Sequence, residues 1–370
     1  MKIHKIYIDR EVAEFPETRT ICHRLNRPVE YLDTPETLYR SIANAPDPES
    51  FGKHVLWLTR NKGAFLRDCP GTANYTCCNY RILHIGSYCS MDCAYCILQV
   101  YFHPPVLTFF VNHGEMHAAL DQLFSSAVVS RVGTGEFTDS LIWENLYPIS
   151  SQLIRRFAVQ DHAVLELKTK TTAVAGLLEL PHQRKTILSW SLNTPRIIAS
   201  AERFTAPLDA RIRAAAECQA HGYPLAFHFD PMVIYPGCEK EYVEVIDQLF
   251  ERISPENIVW ISIGSFRFIP ALKTVIERRF SDSGIVYGEF IRGLDSKMRY
   301  FKPLRIKLYR ALADRIRSRG PEITLYFCME DDEVWKKSLG FTPADHGGLP
   351  RMLDRSAVRH CGLDENAQSG

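Results

Sequence analysis

The chain has 370 residues, 46% hydrophobic and 24% charged, which excludes a largely disordered protein and leaves length for a sizeable core. A net charge of +1 gives no global pull on nucleic acid, so any DNA contact has to come from a local basic patch. No run approaches about eighteen apolar residues and the opening MKIHKIYIDREVAEF lacks a signal-peptide core, so a cytoplasmic protein without membrane association is expected, with its eleven cysteines as thiols or metal ligands.

In chain order, residues 1–75 read as a small α/β appendage that ends in a linker, PGTANY. Short β-branched and aromatic runs follow: YRILHI (80–85), AVVSRV (127–132), AVLELKT (163–169), TILSWSL (186–192), PLAFHF (224–229) and NIVWISI (257–263). Amphipathic segments separate them: EMHAALDQLFSS, SQLIRRFAVQ, AVAGLLEL, PLDARIRAAAECQAHG and EKEYVEVIDQLFERI. This alternation predicts parallel strands joined by right-handed crossovers over residues 76–280, as an α/β barrel or part of one, with an open doubly wound sheet as the competing arrangement. Residues 281–370 form a further α/β extension, and the closing DENAQSG is expected to be disordered.

Cys89, Cys93 and Cys96 in GSYCSMDCAYCILQ fall just after the first strand of the series, at the barrel end where chemistry is done. Three thiolates can hold three corners of an iron-sulfur cube and leave one iron open. The competing reading is a structural zinc site completed by His84, His103, Cys77 or Cys78.

C-x3-C-x2-C after the first strand resembles the radical S-adenosylmethionine superfamily, whose partial (β/α)6 barrel binds a [4Fe–4S] cluster and S-adenosylmethionine; Tyr95 would then lie near the adenine. AYCILQ, KTKTTAV, SWSLN, YPGCEKEY and FRFIPALKTVIE are similar to stretches of the spore photoproduct lyase family, lyases that reverse a UV-induced thymine dimer in DNA. The resemblance implies that Lys170, Ser191 and Asn193 contact the cofactor, and that a flavodoxin or ferredoxin supplies electrons to a monomer.

Two departures are visible. Where these lyases carry the cysteine that returns a hydrogen atom to the repaired thymine, this chain has Glu136, within TGEFTDS; Thr138 and Asp139 fit the pattern and Phe137 does not. The second tyrosine of the lyases' hydrogen relay is Ile97 here. GTGE (133–136) instead resembles a Gly-Gly-Glu motif that grips the cofactor's ammonium, through Gly135 and Glu136. Cys238, or Cys77 or Cys78, is a candidate replacement donor. His228 and Asp230 in FHFDPM share one strand face and are expected to point into the barrel mouth for substrate binding or proton transfer. For nucleic acid, the segment 297–319 interleaves Lys297, Arg299, Lys302 and Arg305 with Tyr300. Cys328 and Cys361 form a second possible thiol pair without an assigned role. The expected activity is hydrogen abstraction from a DNA photolesion or related pyrimidine, followed by C–C cleavage or rearrangement; the alternatives are a small molecule, nucleotide or peptide substrate, or a zinc-stabilised DNA-binding protein.

Overall fold

In the computed structural model, residues 2–72, 75–364 and the backbone of 368–369 are described. Seven parallel strands form the larger sheet in sequential order: β1 (Arg81–Leu83), β2 (Val128–Gly133), β3 (Ala163–Thr169), β4 (Thr186–Ser191), β5 (Leu225–Met232), β6 (Ile258–Ser265) and β7 (Thr324–Phe327). The sheet curls into a half barrel. Every residue of β4 and β6 is buried, which explains why these strands read as continuous apolar runs and not as alternating ones. Leu66–Asp68 runs antiparallel to β1 and extends that edge, while Gln368–Ser369 pairs with the start of β2.

The N-terminal layer is a second sheet of Val29–Leu32, Lys5–Asp9, Val55–Thr59 and Leu107–Phe110, all parallel, with Gly86–Ser87 antiparallel at its end. The two end members come from the segment between β1 and β2, so the stretch that carries the cysteine triplet is tied to both sheets.

Two expectations need correction. The segment AVAGLLEL forms successive turns and not a helix: Gly176 and the following Pro181 disfavour helix, and burial of Val174 and Leu177 holds the turns in place. A boundary at 280 would cut the barrel sheet, because β7 lies well beyond it and pairs with β6. That four-residue run looked like part of an appended unit because pairing between distant strands leaves no local signal. The linker PGTANY and the tail DENAQSG lie partly outside the described residues. Among the described residues no helix is long and apolar enough to cross a membrane.

Candidate active site

A cavity of about 660 Å³ opens at the C-terminal ends of the barrel strands, and all three cysteines of the triplet line it. Their loop is held from outside the barrel. Lys53, buried in the N-terminal layer, donates to the carbonyls of Cys89 (3.0 Å) and Met91 (2.7 Å) and stacks over the Tyr88 ring. Tyr88 adopts a left-handed φ of 71° and donates to the Glu49 carbonyl, which turns the chain into the loop. Asp92 receives Arg279 at 3.0 and 3.1 Å, and the Gln99 amide donates to the carbonyls of Cys93 and Ala94. A loop rich in carbonyls is thus fixed by buried donors from outside the triplet.

The donor chemistry fits an open cluster. Three thiols face one cavity, whereas none of His84, His103, Cys77 and Cys78 shares its lining. His84 is turned away, bonded to Ser87 and packed against Phe110 and Phe137. None of the four expected partners therefore completes a closed zinc site around the triplet.

Around the same cavity stand Tyr95, Gly135, Glu136, Thr138, Lys170 and Ser191. The Lys170 ammonium lies 5.8 Å from the Tyr95 ring centre. Tyr95 donates to Glu202, which pairs with the fully buried Arg211 at 2.5 Å; Arg211 in turn donates to the Ser191 carbonyl at 2.8 Å. This chain of bonds fixes the cysteine loop to the end of β4. At Gly135 an added Cβ would lie 3.0 Å from Lys168 Cβ, so the glycine lets the loop after β2 press against β3. Asp139 completes that join by accepting from the backbone N–H groups of Leu141 and Lys170 and from the Thr169 hydroxyl. Burial nevertheless raises its carboxyl above the ordinary value.

Several predicted residues fall elsewhere. Asn193 is 1% exposed and clamps the end of β5, donating to the Pro231 carbonyl and accepting from Tyr242, and it is absent from the cavity lining. His228 and Asp230 point to the same side of β5 but do not act together. His228 lies in the barrel interior between Glu166 and Ser262, each at 2.6 Å, while only Asp230 reaches the cavity, where Arg267 grips it at 3.1 Å through two nitrogens. Against the upward push of burial, His228 holds the Glu166 carboxyl down at about 2. Cys238 is 1% exposed at the start of the helix Cys238–Phe250 and away from the cavity, which removes it as a hydrogen donor to substrate.

The expected nucleic-acid face is mostly interior. Arg299 is 2% exposed and forms a two-point pair with Asp295; Arg305 is equally enclosed and binds Glu330; Tyr300 packs on Phe290. Lys302 bridges Asp331 and Glu333. Alternating basic and aromatic residues read as a phosphate track, but the charges are spent on carboxylates of this chain, buried ones for Arg299 and Arg305. Only Lys297 of this set lines the cavity, with its ammonium 3.1 Å from the Thr72 hydroxyl. Sequence reasoning missed Lys53, Arg267 and Arg279, whose partners lie far away in the chain, and the Glu202–Arg211 pair, whose link to Tyr95 is equally remote; it left Cys69 and Cys328, both on the cavity wall, without a role there.

A half barrel with three clustered thiols on the loop after its first strand and an open cavity beside them defines a radical S-adenosylmethionine enzyme. The family model of spore photoproduct lyase matches residues 70–300, and the chain belongs to that family, whose lyases use a [4Fe–4S] cluster and S-adenosylmethionine. Relatives include the spore photoproduct lyase of Clostridium acetobutylicum, 22% identical over 80% of this chain and 86% of the relative. That of Bacillus subtilis is 26% identical over 74% and 81%. A solved mutant spore photoproduct lyase with dinucleoside spore photoproduct covers 88% of this chain and 98% of its own, with a TM-score of 0.78 at 20% identity. Another, with AdoMet and the dinucleoside bound, has a TM-score of 0.77 at 19% identity and the same coverage. These structures establish the shared fold.

Proposed function

We propose that this chain is a radical lyase that acts on a pyrimidine photolesion of DNA, presented to the cavity as an extruded dinucleotide. The supporting observation is one cavity that joins the three thiols and Tyr95, Lys170 and Ser191 to an ionic wall of Arg267, Asp230 and Lys297. Its volume, about 660 Å³, suits small ligands and excludes a duplex, so a lesion would have to leave the base stack to enter. Cys89, Cys93 and Cys96 would hold the cluster, which together with S-adenosylmethionine would supply radical hydrogen-abstraction chemistry when bound.

The protein's own work is placement. Lys170 and Glu136 offer a cation and an anion to the cofactor's carboxylate and ammonium, Gly135 lets the backbone approach, and Ser191 supplies a hydroxyl at the ribose or adenine. Thr138 accepts from the Trp143 indole at 3.1 Å and so acts by shaping the loop. Arg267 and Lys297 offer donors to the lesion's carbonyls or linking phosphate. A flavodoxin or ferredoxin is the electron source in this reading.

The ionic wall also favours a second reading, a small polar nucleotide or peptide substrate. One assay separates the two: anaerobically reconstituted protein is reduced with dithionite in the presence of the dinucleoside spore photoproduct. Conversion of the dinucleoside into its two thymidines along with 5'-deoxyadenosine is expected. Cofactor cleavage without change in the dinucleoside transfers the proposal to the second reading, and no 5'-deoxyadenosine at all rejects both.

A further inference from the structure

A carbon radical left in the cavity must gain a hydrogen atom to become a stable product, and Glu136 has no weak bond to hydrogen to give. Two thiols outside the triplet do line this cavity. Cys328 leaves the C-terminal end of β7, and Cys69 follows the edge strand Leu66–Asp68. The two loops that carry them touch: the Thr72 hydroxyl meets the Met329 sulfur at 3.1 Å, and the Thr76 N–H donates to the Glu330 carbonyl. Cys69 is held in place by its N–H to the Tyr80 carbonyl, 2.8 Å, across the hairpin. Within the same hairpin, the Cys77 sulfur lies against the turn at Gly71, 3.6 Å from where a Cβ would be. Cys77 is exposed and its neighbour Cys78 partly buried, so sulfur extends from the cavity wall toward solvent.

We propose that Cys328 is the hydrogen-atom donor of this site and that Cys69 is the thiol that recharges it; this rests on the radical reading above. In the donating step the Cys328 S–H bond breaks homolytically and a C–H bond forms on the substrate radical, which leaves a thiyl radical on Cys328. Hydrogen exchange from Cys69 restores Cys328, and a soluble thiol returns the atom to Cys69, with two of the resulting soluble thiyl radicals coupling to a disulfide. Each turnover therefore consumes one hydrogen atom from a soluble thiol. The arrangement also keeps the donor in its hydrogen-bearing form: burial pushes the Cys328 thiol up to about 12 and raises that of Cys69. A thiolate would have nothing to transfer.

Thiol hydrogens exchange with water whereas carbon-bound ones do not, so the test is turnover of the dinucleoside in D2O with an added dithiol. Wild-type protein should yield product carrying one solvent deuterium. Cys328→Ser should continue to release 5'-deoxyadenosine but lose the deuterated product, and Cys69→Ser should give one labelled turnover and then stall. Product deuterated to the wild-type level by Cys328→Ser overturns the proposal. A second measurement needs no turnover: hydroxyl-radical footprinting of reconstituted protein, which oxidises a thiol without first needing its thiolate, read residue by residue. At S-adenosylmethionine about ten times its Kd, oxidation of Cys328 should slow about tenfold while that of Cys22, remote in the N-terminal layer, stays unchanged. Equal rates at Cys328 with and without cofactor would place it outside the site and defeat the idea even if the dinucleoside is never a substrate.

Discussion

Lys53 lies 36 residues ahead of Cys89 in the chain, yet it holds that residue's carbonyl. Its ammonium is 4% exposed and also faces Asp92 at 3.7 Å, so the cysteine loop receives a positive charge from a layer outside the barrel. Hydrogen bonds from a charged donor are worth about 1.5–3 kcal/mol each. Lys53→Met keeps the side chain's bulk and removes both bonds. Because partners behind metal ligands typically control affinity by a factor of about ten to a hundred, the variant should bind its cluster about tenfold or more weakly. Iron per chain after anaerobic reconstitution, titrated against a chelator, measures this; an unchanged titration would mean that the loop holds its shape without Lys53. The triplet itself was legible because all its members sit within eight positions. Lys53 and Arg279 were not, since nothing in the spacing of a lone basic residue shows which carbonyl it will meet.

Strands β3, β5 and β6 are joined inside the barrel by the Glu166–His228–Ser262 series, with the Trp260 indole also reaching Glu166 at 3.4 Å. A carboxyl depressed from 4.5 to about 2 stabilises the fold above its ordinary value, and that stabilisation is lost as pH falls from about 4.5 through about 2. The size is about 3 kcal/mol. Glu166→Gln should therefore be less stable than wild type by that order at pH 7, with the gap closing on acidification over that interval. Urea unfolding at several pH values checks it; a gap independent of pH would assign the loss to packing alone. At this scale the strands were readable from their apolar runs, and the pairing of His228 was not. Alternation places His228 and Asp230 on one side, but depth along the strand decides that one meets a buried carboxylate and the other the cavity.

For the whole molecule, a net charge of +1, the internal use of Arg299 and Arg305 and the pairing of Lys302 with surface carboxylates leave little of an electrostatic track for DNA in this segment. Binding to a lesion-bearing oligonucleotide should depend weakly on salt, with a slope of log K against log salt of about −2 or shallower, as for at most two neutralised phosphates. A slope near −5 would reveal a basic face that the fold does not display. The half barrel was foreseeable from alternating patterns and family likeness, but β7 and the insertion of Leu107–Phe110 into the N-terminal sheet were not, because both depend on contacts between remote segments. That insertion has a practical corollary. A trimmed protein starting near residue 76 would retain every cysteine of the triplet while discarding Glu49, Lys53 and three of the strands that brace their loop, so the minimal unit for housing iron is larger than the barrel that names its class.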